Sequence, residues 1–196
     1  RQLVAGRSIA LVSDAGTPGI SDPGFRLVKI ASEYEIDVIC IPGPTAAIAA
    51  ISISGLPTSS FTFFGFIPRI KSKRREFLRE IQEVRHAFIF YESPRRVLET
   101  LNDMVEILGD RHISLSRELT KMFEETIRGK ISSVIQILKE KKVIKGEFTV
   151  VVEGNKDMNE EASIDELEKE IRMHREGGLS LKDTVEKLTL KLKLQR

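Results

Sequence analysis

Ser13-Asp14-Ala15-Gly16-Thr17-Pro18-Gly19-Ile20-Ser21-Asp22-Pro23-Gly24 decides how this chain is read. Twelve residues with three Gly, two Pro and two Asp form neither a helix nor a central strand. The apolar run Ser8 to Val12 precedes them and reads as a buried strand. Phe25, Leu27, Val28, Ile30 and Ala31 follow on a helical stripe. The segment is therefore a shaped loop at a strand end, where open α/β sheets bind ligands. A second such unit comes next. Asp37 to Ile41 reads as a buried strand, Pro42-Gly43-Pro44-Thr45-Ala46-Ala47 as its loop, and Thr45 to Ser54 as a small-residue helix. Thr45 is its natural N-cap and Gly55 its natural C′ residue. Strand, loop, helix, repeated, predicts a parallel α/β sheet.

Gly55 to Ser60 predicts a domain boundary. Beyond it, strands are expected at Phe61–Phe66, Ala87–Tyr91, Ile113–Leu115, Thr126–Ile131 and Glu147–Val152. Helices are expected at Lys71–Glu83, capped by Ser72, at Arg95–Leu108, ended by Gly109, and at Ser132–Lys139. Residues 154–163 read as a polar linker. Ile164–Glu176 and Ser180–Leu192 read as two charged helices split by Gly177-Gly178, compatible with part of a helix-turn-helix. The organisation is thus residues 1–56, 57–154 and 155–196.

The 196 residues are 41% hydrophobic and 31% charged, as in a globular protein with a sizeable core. No apolar run approaches the roughly 18 residues of a membrane span, and no signal peptide is visible. The single Cys40 lies in an apolar run and reads as a buried core thiol. One cysteine builds no intrachain disulfide framework, which points to a cytosolic location. A net charge of +2 implies no nucleic acid by itself. The phosphate-loop, dinucleotide and nucleophile-elbow patterns are absent. The three His lie far apart, so no metal-ligand cluster forms and no metal is expected. What remains is a pocket built mostly from backbone. Gly16, Gly19, Gly24 and Gly43 allow a ligand close to the main chain. Asp14, first past its strand, is placed to accept hydrogen bonds from an amine or hydroxyl. Alternatively, Asp14 and Asp22 merely cap turns and the next helix.

Three further motifs follow these loops in order: Phe90-Tyr91-Glu92-Ser93-Pro94-Arg95-Arg96, Arg117-Glu118-Leu119-Thr120-Lys121 and Lys145-Gly146-Glu147-Phe148. In order and spacing the five resemble the tetrapyrrole-methylase-like (class III) S-adenosylmethionine enzymes, in the branch that methylates small-subunit ribosomal RNA. The resemblance covers about residues 5 to 154. It implies two α/β domains of the tetrapyrrole methylase fold with the cofactor cleft between them, a short helical C-terminal tail, and a homodimer. It implies S-adenosylmethionine as donor and 2′-O-methylation of a cytidine in the decoding region of 16S rRNA, on naked RNA or the small subunit. It also places a first strand and its Gly-containing loop before Arg1, and more of the helical domain after Arg196.

Carried over residue by residue, Asp14, Thr17 and Ile20 belong to the first cofactor loop, and Thr45 and Ala46 to the second. Tyr91 ends a strand facing the cleft, and Gly146 and Glu147 begin the last strand. In such a transfer the ribose 2′-oxygen attacks the methyl carbon in line, and positioning supplies much of the rate. A general base assists; Glu118, Lys121 and Glu92 are the candidates, although Glu118 could equally form a surface ion pair with Arg117 or Lys121. RNA needs cations near the cleft. Arg69, Lys71, Lys73, Arg74 and Arg75, next to Phe63, Phe64 and Phe66, are the candidates, with Arg95 and Arg96 beside Tyr91. Two other readings stand: a tetrapyrrole C-methyltransferase of the same fold, and a non-catalytic RNA-binding assembly module. Against the first, the opening loop lacks the Gly-Gly-Asp-Pro pattern of those enzymes.

Overall fold

A computed structural model describes residues 1–155, 171–174, 180 and 183–185. Arg1–Gly154 forms one compact unit and Asn155–Arg196 a second. In the first unit the elements run α1 (Phe25–Glu33), α2 (Ala46–Ser52), β1 (Phe61–Phe66), α3 (Lys71–Glu80), β2 (Ala87–Glu92), α4 (Val97–Leu108), β3 (His112–Arg117), β4 (Glu125–Lys130), α5 (Ile131–Glu140) and β5 (Phe148–Val152). The strands make one five-stranded sheet in the order β1-β2-β5-β3-β4.

The sheet is mixed, not parallel throughout. β1 and β2 pair in parallel, while β5 runs antiparallel to both β2 and β3, and β4 antiparallel to β3. β1, β2 and β3 therefore point the same way. Their C-terminal ends share one rim with the start of β5.

Strand alternation divides the core in two. Phe88 and Phe90 of β2, Ile113 and Leu115 of β3, and Phe148, Val150 and Val152 of β5 face one way. There Leu78 of α3, Leu101 and Met104 of α4, and Val134 and Leu138 of α5 cover them. α4 and α5 present their apolar positions at three- and four-residue spacing, one stripe each, while α3 buries Leu78 and, four residues before it, Arg74. On the opposite face Ala87 and Ile89 of β2 and Val151 of β5 meet Ala47, Ala50 and Ile51 of α2. The small residues of α2 let it lie close to the sheet.

Two ion-paired layers tie α3 to α4. Arg74 is wholly buried, with its guanidinium 2.6 Å and 2.8 Å from Asp103 and 3.4 Å from Glu99. Arg75 bonds Asp103 at 2.8 Å and also Glu106. Burial pushes the Asp103 carboxyl up, but the bonds from Arg74 and Arg75 outweigh it and the net shift is downward.

Ser8–Val12 and Asp37–Ile41 are not strands here, and they are not buried. Val12 is 80% exposed and Ile39 82%, and Cys40 is an exposed free thiol rather than a core residue. The cause is pairing. No described strand takes up their backbone groups and no helix covers their side chains, so apolar composition alone does not bury them. α1 forms as expected, but only Ala31 on it is buried.

Local signals fared unevenly. Thr45 caps α2, its hydroxyl oxygen accepting from Ile48 N at 3.2 Å. Ser72 does not cap α3; the N-cap is Ile70, without a side-chain bond. Gly55 does take positive φ (77°), two residues beyond the C-cap Ile53. In the second unit, residues 171–174 and 183–185 are helical. The Ser180 hydroxyl accepts from Asp183 N at 3.2 Å and bonds its carboxylate at 2.6 Å, a helix-start arrangement. The remaining residues of both expected tail helices, their Gly177-Gly178 break and most of the 154–163 linker lie outside the described residues. No helix among the described residues is long and apolar enough to cross a membrane.

Candidate functional site

The rim of the sheet gathers most of the expected site. The two N-terminal loops meet each other through Thr17, whose hydroxyl donates to the carbonyls of Gly43 and Pro44, both at 3.3 Å. Gly16 passes so close that a Cβ there would sit 3.4 Å from Pro44 O. Gly43, Pro44, Thr45, Ile48 and Ala49 line a shallow, open depression of about 300 Å³ beside this junction. Asp14 and Ile20 stand exposed in the first loop, and Ala46 is exposed at the start of α2.

Tyr91 anchors this assembly to the sheet. Its phenolic oxygen accepts from Ala47 N at 3.3 Å. Phe63 packs edge-on against its ring at 4.9 Å, and Phe66 at 5.5 Å. Burial pushes the Tyr91 phenol up, opposed by the Ala47 bond, so it stays a neutral hydroxyl at neutral pH.

Both phenylalanines reach Tyr91 because β1 slips register between Phe63 and Phe66. Gly65 sits at φ 65° in that slip, and a Cβ on it would lie 3.0 Å from Ser21 Oγ of the first loop. Sequence reasoning missed Gly65. A lone glycine inside an aromatic strand is a signal for a bulge or a close approach.

A second cluster occupies the β3–β5 part of the rim. Glu118 Oε1 accepts from Glu147 N at 2.8 Å and from Lys121 Nζ at 3.2 Å. Lys121 also donates to Glu147 Oε2 at 3.0 Å. Gly146 is the hinge of this contact, at φ 92° and directly against the Glu118 side chain. The bond from Glu147 N, then that from Lys121, holds the Glu118 carboxyl below its ordinary range. Bonds to Glu147 and then Glu118 hold the Lys121 ammonium above its ordinary range. Leu119, next to Glu118, packs on the α2 side of the sheet with Tyr91. The two clusters thus share one end of the fold.

Several expected roles do not survive this geometry. Glu92 is buried and turned inward, bonded to Ser93 N (2.6 Å), Thr100 Oγ1 (2.8 Å) and Arg96 (2.6 Å). It locks the start of α4 and is no base for a bound hydroxyl. Lys121 is held as a cation, the wrong protonation state for a base. Arg74 has no surface to offer RNA, and Arg75 is committed to two carboxylates. Arg96 spends its charge on Glu92. Arg69, Lys71, Lys73 and Arg95 are exposed.

The family model for Tetrapyrrole (Corrin/Porphyrin) Methylases matches residues 1–135. Over 153 residues the chain is 54% identical to the Ribosomal RNA small subunit methyltransferase I of Halalkalibacterium halodurans, covering 78% of this chain and 53% of that one. It is 45% identical over 152 residues to the protein of the same name from Thermotoga maritima, covering 78% and 68%. Among solved structures it resembles the methyltransferase CobJ, with a TM-score of 0.57 at 20% identity over 77% of this chain and 66% of that one. That likeness shows the fold. The chain belongs to the tetrapyrrole methylase family, in the branch of the ribosomal RNA small subunit methyltransferase I proteins. It spans about half the length of the first relative named and two thirds of the second.

Proposed function

We propose that the whole protein is an S-adenosylmethionine-dependent methyltransferase that 2′-O-methylates a cytidine ribose in the decoding region of 16S rRNA. It acts in the cytoplasm, as a homodimer, on the RNA or the small subunit. One observation carries the reading. The Thr17-joined loops and the Tyr91 anchor stand at the same sheet end as the Glu118–Lys121–Glu147 cluster, among relatives named for ribosomal RNA methylation.

The residues present fit the cofactor. An adenosine needs backbone groups and a flat apolar slot, and Gly43, Pro44, Thr45, Ile48 and Ala49 supply both. Asp14 and Thr17 lie on the first wall, Ile20 beside them, Thr45 and Ala46 on the second, and Gly146 and Glu147 across the rim. When bound, S-adenosylmethionine supplies a methyl already activated on a sulfonium. Glu118 has work left for one atom: Oε1 is doubly bonded, while Oε2 makes no hydrogen bond among the described residues. Oε2 accepts from the ribose hydroxyl, orients it, and takes its proton after the oxygen–methyl bond has formed and the sulfur–methyl bond has broken. Lys121 holds Glu118 Oε1, which leaves Oε2 aimed at the hydroxyl.

Methyl transfer from labelled S-adenosylmethionine to small subunits lacking the modification tests the reading. Label mapped to one cytidine ribose is expected; label on a tetrapyrrole precursor instead rejects it. Asp14→Asn is expected to lose about 1–3 kcal/mol of cofactor affinity by calorimetry, the scale of a hydrogen bond to a charged group. Equal affinity removes Asp14 from the site.

The pH dependence separates the roles at the second cluster. Glu118, with its pKa lowered, contributes stability above its unfolded value of about 4.3, lost as pH falls through the folded one. Lys121, with its pKa raised, contributes below about 10.4, lost as pH rises through its folded value. Both stay charged from roughly pH 5 to 10. Lys121→Arg therefore keeps most turnover, while Lys121→Gln, which frees the Glu118 side chain, loses about 10²-fold, the scale of a misplaced group. Abolished turnover in Lys121→Arg, with a rate rising toward high pH in the wild type, would make Lys121 the base.

A further inference from the structure

The β3–β4 loop, residues 118–124, carries near its end two bulky apolar side chains that no described residue covers. Met122 is 91% exposed and Phe123 68%. The loop is nonetheless tightly built. Glu118 and Thr120 hold positive φ (49° and 65°), conformations costly for residues other than glycine. Lys121 N donates to Glu118 O at 3.0 Å, Glu124 N to Lys121 O at 3.1 Å, and Thr120 N to the Glu124 carboxylate at 2.6 Å. Beneath it, Arg117 pairs with Glu125 at 3.2 Å, and Lys141 pairs with the same Glu125. Backbone strain retained to hold two hydrophobic side chains in water marks a surface shaped for contact.

The α5–β5 loop, residues 141–147, lies alongside, tied by Arg117 NH1 donating to Lys145 O at 3.5 Å. It carries Lys142 and Lys145, both exposed and without an ion pair among the described residues. The carboxylates of the two loops are all engaged: Glu118 and Glu147 with Lys121, Glu124 with Thr120 N. The charge left over is positive. Apolar side chains on one loop and unspent lysines on the loop joined to it fit single-stranded RNA, whose bases stack on the former and whose phosphates meet the latter. A purely apolar protein partner would leave those lysines without a role.

We infer that Met122 and Phe123, flanked by Lys142 and Lys145, form a platform that grips the unpaired RNA strand next to the target nucleotide. This rests on the reading of the protein as an RNA methyltransferase. It moves the RNA-binding charge away from Arg74 and Arg75, which the fold consumes, to the opposite side of the rim.

The test uses the whole protein and a short fluorescein-labelled single-stranded RNA, read by anisotropy across a salt series. Met122→Ala with Phe123→Ala is expected to weaken binding by roughly 5- to 100-fold, the range for lost base stacking, with the salt slope kept. Phe123→Tyr keeps the ring and is expected to retain affinity. Lys142→Ala with Lys145→Ala is expected to reduce the slope of log K against log salt by roughly 1.4, about 0.7 for each single-strand phosphate contact. All four side chains are exposed, so melting temperatures should hold. If the wild type binds RNA and both pairs of variants bind it equally well, the platform is wrong and the methyltransferase reading stands. If the Met122/Phe123 variant changes the sedimenting species but not RNA affinity, the tip belongs to a second copy of the chain and the inference is overturned. A wild type that neither binds RNA nor methylates the small subunit overturns both.

Discussion

Arg74→Ala is expected to lower folding stability by about 3–5 kcal/mol, the cost of breaking a buried ion pair from one side. Arg74 is completely buried between α3 and α4. Removing it deletes two close bonds to Asp103 and leaves a cavity beside Leu78 and the α4 stripe. Asp103 keeps Arg75, so the carboxylate is only partly orphaned, which favours the lower end of the range. Replacing both, Arg74→Met with Asp103→Leu, is expected to cost less than Arg74→Ala alone, because the two most buried charges leave together and Arg75 keeps Glu106. Urea denaturation reads both. The Asp103 contribution is present above its unfolded pKa of about 3.9 and disappears as pH falls through its lowered folded value. RNA affinity per folded molecule should not change. A loss of RNA affinity in Arg74→Ala without a loss of stability would restore the arginine to an RNA-binding role.

Gly146→Ala is expected to cost about 10²-fold in methyl transfer, the penalty for displacing a positioned group by about an ångström. A Cβ at Gly146 would sit 2.5 Å from Glu118 Cγ and 3.0 Å from its Oε1. Either the Glu118 side chain swings away from Glu147 N and Lys121, or the backbone moves. The positive φ of 92° adds strain of about 1–2 kcal/mol for any residue with a Cβ. Glu118→Ala removes the obstacle. The double variant should therefore be no slower than Glu118→Ala alone, a non-additivity expected of side chains in contact. Turnover at saturating cofactor measures it. Fully additive losses would mean that Gly146 acts on the cofactor directly and not through Glu118.

Where an element and its partners lie close in the sequence, the fold was legible. α4 was readable because Val97, Leu101, Met104 and Leu108 repeat at helical spacing and all are buried. β1, β2 and β5 were readable as short apolar runs between turn signals, within a residue or so of their observed ends. Neither the insertion of β5 between β2 and β3 nor its antiparallel sense is written in any single run. Ser8–Val12 and Asp37–Ile41 misled because apolar composition states a preference for burial, whereas burial needs a neighbour. Arg74 and Arg75 misled in a similar way. Five cations in seven residues read as a patch, but the carboxylates of Arg74 and Arg75 wait on α4, 25 or more positions away in the chain. Of the site, the resemblance puts Thr17, Thr45 and Tyr91 at one cleft, but the contacts that join these loops, Thr17 with Gly43 and Ala47 with Tyr91, appear only in the fold. The protonation states of Glu118 and Lys121 depend on a contact between two loops that only the folded chain makes.

The slip of β1 at Gly65 also limits how the chain can vary. A side chain there would press on Ser21 Oγ, 3.0 Å away, so the first loop and the middle of β1 can change only together.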